Sequence, residues 1–255
     1  MTLLLAVLLG VVVGALLGLV GAGGAIVAVP ALVYGLGLPV RVAVPVSLMM
    51  AAIASATAVL PRLRTAVSWP TAALTVVGAI PTTFLGAAAN AALPAETVLV
   101  VLAVVMVAAG LRLLLQYPSN GTPPAGRAFT VRRVATTIGV GLLVGFLTGL
   151  LGVGGGFVVI PALAVLLKLP FPAAVGTSLV ITVVNSTVGV TAHLSALPEV
   201  PWPTAIAFIV AAFLAALVGG RAAGRLPARA LQRGFAVLVL IVAAFTAVQA
   251  IAGRA

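Results

Sequence analysis

Ser178, Thr182, Asn185 and Ser186 stand at i, i+4, i+7 and i+8, a spacing that gathers four neutral hydrogen-bonding side chains on one helical face. Hydroxyls and an amide on that face can donate to sulfonate-like oxygens without the cost of a buried charge. Upstream lies a glycine-rich turn, GVGGG at 152–156, that leads into an apolar segment. Glycine admits positive φ and leaves backbone N–H groups uncovered, while a helix N-terminus carries about half a positive charge. Such a turn can hold an oxyanion by backbone alone. The chemistry on offer is anion recognition by uncharged donors.

The same pattern occurs earlier in the chain, 131 residues before. Without a gap, Gly14, Gly18, Gly21, Gly23, Gly24, Pro30, Leu32, Pro39, Ala43, Ser47 and Ser55 fall on Gly145, Gly149, Gly152, Gly154, Gly155, Pro161, Leu163, Pro170, Ala174, Ser178 and Ser186. The candidate substrate-binding residues are therefore Gly21, Gly23, Gly24 and Ser47 in the first copy. In the second they are Gly152, Gly154, Gly155, Gly156, Ser178 and Asn185. The first copy keeps Ser47 and Ser55 and adds Thr57, so the site is expected to be asymmetric. Pro30 and Pro161 each remove a backbone N–H and kink the chain, in a structural or a gating role.

Each feature also has a purely structural reading. Gly14, Gly18 and Gly145, Gly149 are small-xxx-small pairs and fit close helix packing better than a site. The clustered glycines that follow break the helix, which packing alone does not require. Serine and threonine in membrane helices often bond to their own i−4 carbonyl or bridge neighbouring helices. His193, the only histidine, falls near the outer end of its segment, and Arg41 at the outer mouth. Arg41 can attract anions or snorkel to headgroups. Trp69 and Trp202 lie at segment starts and suit interfacial anchors.

The elements that must carry these residues are membrane helices. Of 255 residues 64% are hydrophobic and 6% charged, against roughly 25% charged in a soluble domain. Several apolar runs reach the ~20 residues that cross the hydrocarbon, and the alternation of a transmembrane barrel is absent. Residues 3–20 lack the basic n-region of a signal peptide, since no Lys or Arg precedes Arg41, and a counterpart lies mid-chain.

Apolar segments fall near 3–20, 24–37, 40–60, 71–92 and 95–116, then 131–151, 155–168, 171–194, 204–224 and 228–251. The first repeat is 1–116, the polar Pro/Gly stretch 117–130 is a linker, and 131–255 is the second repeat. Cytoplasmic loops collect Lys and Arg. If each half crosses an odd number of times, one face receives Arg62, Arg64, Arg112, Arg127, Arg132, Arg133, Lys168, Arg221, Arg225, Arg229 and Arg233. Arg41, Arg254, Glu96 and Glu199 fall on the other. Both termini are then outside, the linker inside, and the halves oppositely oriented. The expected fold is an all-α integral membrane protein of two inverted-topology repeats, each a Gly-rich broken-helix or re-entrant hairpin plus three spanning helices. Segments 24–37 and 155–168 are short for a span, about 21 Å of helix each.

The pattern G-x-x-G-x-G-G-x-x-x-x-x-P-x-L, then L-P and A-V-x-x-S, occurs as Gly18 to Ser47 and again as Gly149 to Ser178. It resembles the TauE/SafE sulfite-exporter family of membrane transporters over nearly the whole chain. What the resemblance implies is secondary export of sulfite or organosulfonates such as sulfoacetate from the bacterial cytoplasm across the inner membrane. The copies differ where Ala25 stands for Gly156 and Pro45–Val46 for Gly176–Thr177.

Other functions are bounded by composition. No Asp or Cys occurs and only two Glu and one His, so no acid–base or nucleophile pair for an enzyme is evident, and no metal or cofactor is expected. No GxxxxGK[ST] motif is present to couple hydrolysis. The expected partners are a small anion and membrane lipid, with no nucleic acid. An anion channel, or a transporter of another small organic anion, would use the same glycine turns.

Overall fold

The computed structural model describes residues 2–20, 22–60, 63, 66–115, 130–154, 156–165, 167, 169, 171–223 and 228–251. Of the linker only Thr130 lies among them. The first half supplies α1 (Thr2–Val20), α2 (Ala28–Pro30), α3 (Val40–Val59), α4 (Trp69–Ala92) and α5 (Ala95–Leu115). The second supplies α6 (Val131–Leu151), α7 (Gly156–Val165), α8 (Phe171–Ala192), α9 (Trp202–Ala223) and α10 (Ala228–Ile251). Seven of these, α1, α3, α4, α5, α6, α8 and α9, are long and apolar enough to cross a membrane. α10 is apolar from Phe235 to Ile251 but for Thr246 and Gln249. Large side chains such as Leu4, Val77, Val104, Val218 and Ile241 point outward, as a lipid-facing surface requires.

The two limbs of each glycine-linked pair are unequal. α1 has 19 residues and α6 has 21, about 28 to 32 Å of helix, so the incoming limb is full length. The returning limb is short or irregular. α7 has ten residues. Its counterpart runs as a 3-10 stretch Ala22–Val27, the single α turn α2, and a π stretch Ala31–Gly35. Pro30 stands where the α turn passes into the π stretch and has no N–H for the i−4 carbonyl, but Pro161 occupies the matching place inside α7, so proline alone does not account for the break. Both returning limbs end alike: Leu38 N–H donates to Leu32 O at 3.2 Å, and Leu169 N–H to Leu163 O at 3.1 Å.

Long helices pair mainly across the halves. α1 lies parallel to α9, with Gly10, Gly14 and Gly18 meeting the backbone at Phe208, Ala212 and Ala216 in ascending order. α6 lies parallel to α4 in the same way, Gly141, Gly145 and Gly149 meeting Thr75, Ala79 and Thr83. A Cβ on any of these six would strike a main-chain oxygen. Glycine is therefore needed for backbone contact, the packing that joins helices where lipid supplies no hydrophobic drive. The arrangement accounts for Gly14, Gly18, Gly145 and Gly149 as packing residues.

α3 and α8 cross antiparallel at the centre. Leu48 lies against Gly189, while Val59 shares an apolar cluster with Val175 and Leu179. This register brings Ser55 level with Thr182. At one end Arg41 of α3 pairs with Glu199, 3.6 Å apart, both about half exposed. The two residues assigned by charge to one face do share an end of the bundle.

Candidate functional site

The turn between α6 and α7 is wedged into the α3–α8 crossing. Gly152 ends α6 in the left-handed region, φ 71°, and its N–H donates to Thr148 O at 2.9 Å. Only glycine takes that conformation without strain, and the turn satisfies a carbonyl the helix end would leave open. Gly154 repeats the positive φ at 62°. A Cβ on Gly154 would lie 2.7 Å from Ser186 Oγ, 3.0 Å from Thr182 Cγ2 and 3.2 Å from Ala51 Cβ. Ser186 and Thr182 of α8 thus both face the turn, Ser186 by its hydroxyl and Thr182 by its methyl.

Two side chains of the first half hold this turn. Ser47 of α3 has its hydroxyl 2.6 Å from Gly152 O and 2.7 Å from Val44 O. Asn90 of α4 donates through Nδ2 to Leu150 O at 2.7 Å. Asn90 has no signal in the repeat, since its counterpart is Ala223. An amide inside an apolar segment was the available clue.

The buried polar residues divide into two classes. Ser47 and Ser178 have their hydroxyls engaged by carbonyls, Ser47 between Val44 O of its own helix and Gly152 O of the turn, Ser178 on Val175 O of its own helix at 2.8 Å. Ser55 Oγ, Thr182 Oγ1, Ser186 Oγ and both amide atoms of Asn185 have no partner among the described residues, although all four residues are fully buried. Buried polar groups are ordinarily bonded, so a cluster of four calls for an external partner. Ser178, Thr182, Asn185 and Ser186 do share the helical face their spacing implies, and Gly154 and Ser55 extend the cluster beyond α8.

Other candidates lie elsewhere. Gly21 and Gly155 fall outside the described residues. Gly23 and Gly24 belong to the 3-10 stretch, which touches both α1 and α7. Gly156 opens α7, and Pro161 falls inside it. Pro30 is buried where the α turn passes into the π stretch. Arg41 is engaged by Glu199 at the bundle's end. His193, just beyond α8, is buried; its Nδ1–H donates to Gly189 O at 2.8 Å and Nε2 has no partner among the described residues. Burial pushes its pKa below the ordinary 6.5, against a smaller upward pull from that bond. Among the described residues no group of His, Asp and Glu could hold a metal ion.

Residues 6–246 match the family described as Sulfite exporter TauE/SafE. A protein of Xylella fastidiosa strain Temecula1 named "Probable membrane transporter protein" is 30% identical over 244 residues, covering 92% of this chain and 91% of its own. A relative from Bacillus subtilis strain 168, "Probable membrane transporter protein YunE", is 27% identical over 240 residues, covering 86% of this chain and 88% of its own. No solved structure is significantly similar to the chain.

Proposed function

Because the chain belongs to the Sulfite exporter TauE/SafE family, we propose that it is a secondary transporter exporting small sulfur-containing anions, sulfite or organosulfonates such as sulfoacetate. Family and relatives are named for membrane transport and not for catalysis. The observation that carries the site is the set of fully buried side chains at the α3–α8 crossing, Ser55, Thr182, Asn185 and Ser186, that have no partner among the described residues, with Ser186 and Thr182 against Gly154. The anion sits near the midplane, held by the glycine turns and helix N-termini of both repeats. Contact between α7 and the 3-10 stretch Ala22–Val27 supports that pairing.

The two repeats, 1–116 and 131–255, lie in opposite orientations about this site, with both termini outside the bacterial inner membrane. The short returning limbs, with Pro30 and Pro161, move against α3 and α8 to expose the site alternately to either side. An inside-negative potential drives the anion outward with about 2.3 kcal/mol per charge per 100 mV. The basic residues of the cytoplasmic face concentrate anions before export.

Purified protein in liposomes tests this. Labelled sulfite is expected to move saturably, to show counterflow, and to accelerate when a potassium diffusion potential favours anion exit. Unsaturable flux without counterflow would identify a channel. Absence of flux for every sulfur anion, in folded protein, would refute the substrate class.

A further inference from the structure

We infer that the site takes a singly charged oxyanion that still carries a hydrogen-bond donor, and that Asn185 reads that donor; hydrogensulfite, not the sulfite dianion, is then the form recognised. The inference rests on the anion site proposed above and narrows its substrate class: of the anions named there it selects hydrogensulfite over sulfoacetate, which is a dianion without a donor once both acids are ionised.

Charge is the first argument. The buried polar residues described are serine, threonine and asparagine, with His193 the one ionisable member. Arg41, Arg112, Arg132, Arg221 and Arg233 are exposed and lie at or near helix ends, and Arg133 is half-buried in the first turn of α6, at the end away from Gly152. No guanidinium or ammonium therefore compensates an anion at the α3–α8 crossing among the described residues. What remains is dipolar: the N-terminus of α7, worth about half a charge, and the hydroxyls of Ser55, Thr182 and Ser186. The cost of moving an ion out of water grows as the square of its charge, so a second negative charge roughly quadruples it. Dipoles that suffice for a monoanion do not suffice for a dianion.

Asn185 supplies the second argument. Both Nδ2 and Oδ1 are buried without a partner among the described residues, so in either orientation of the amide the residue presents two donor hydrogens and one acceptor atom. It sits within the same helical face as Thr182, Ser186 and Gly189, the face turned to α3. A fully deprotonated oxyanion offers only acceptors. It would satisfy Nδ2 and leave Oδ1 bare in a dry interior, whereas an S–OH or hydroxyalkyl group satisfies both. The first repeat has Ala54 at this position, so the reader of the donor belongs to one half only.

Binding of three anions to the purified full-length chain at one pH tests the inference, read by calorimetry. Hydroxymethanesulfonate is a monoanion with a donor, ethanesulfonate is its size-matched partner without one, and sulfate is a dianion. The expected order is hydroxymethanesulfonate about tenfold tighter than ethanesulfonate, and ethanesulfonate about tenfold or more tighter than sulfate. Asn185→Leu should bring the first two together and leave both ahead of sulfate. Sulfate binding as tightly as ethanesulfonate would overturn the charge argument, and equal binding of the two sulfonates to the native chain would overturn the role of Asn185. The native comparison decides even if Asn185→Leu does not fold. Binding by none of the three would refute the anion site itself, and the inference with it.

Discussion

The hydroxyl of Ser47 lies 2.6 Å from the carbonyl oxygen of Gly152, 105 residues later in the chain. Through this contact α3 of the first half grips the turn that opens α7 of the second. Asn90 grips the same turn one residue pair earlier, on Leu150 O. The geometry of the second glycine turn is thus set by side chains from the other half.

Ser47→Ala should cost about 1–3 kcal/mol of stability, because it leaves the buried Gly152 carbonyl without its partner. Denaturant unfolding in detergent micelles reads the loss. A cost no larger than that of Thr57→Ala, whose hydroxyl bonds only within its own helix, would mean the grip on the turn contributes nothing.

Gly145→Ala and Gly14→Ala are expected to destabilise by about 1–3 kcal/mol or more, since the new methyl meets main-chain atoms of α4 or α9 that cannot turn aside. Gly139→Ala has nothing within 4 Å and should instead stabilise, by about 0.5–1 kcal/mol. The opposite signs, measured by the same unfolding assay, separate packing glycines from permissive ones.

Gly154→Ala carries a left-handed backbone strain of about 1–2 kcal/mol and places a methyl against Ser186 Oγ. Gly37→Ala carries the same kind of strain, φ 67°, in open space. Sulfite binding is expected to fall sharply in the first variant and to survive in the second. Equal binding by both would remove Gly154 from the site.

Stability should fall as pH drops below about 6.5, the ordinary histidine value. Burial depresses the folded pKa of His193, so below 6.5 the unfolded chain takes up a proton the folded chain refuses. The unfolded state then binds more protons, and the stability present above 6.5 is lost progressively until the folded pKa is reached. Melting temperatures between about pH 5 and 8 should slope accordingly in the native protein and flatten in His193→Gln.

Several features were legible from residue order because they depend on local chemistry. Length and hydropathy specify the long helices, and glycine clusters specify where α6 ends. Charge asymmetry even anticipated that Arg41 and Glu199 share one end of the bundle.

Tertiary structure alone decided which groups meet. Gly149 and Gly154 belong to one glycine run, yet the first lies against the α4 backbone and the second against Ser186, because a helix can present only one face to each neighbour. Ser178 and Ser186 likewise stand on the same face, but one hydroxyl finds a carbonyl of its own helix and the other finds none. Any helical serine has that carbonyl within reach, so spacing cannot tell the two apart. The crossing of α3 over α8, joining residues more than a hundred positions apart, buries both hydroxyls and leaves that of Ser186 without a bond among the described residues.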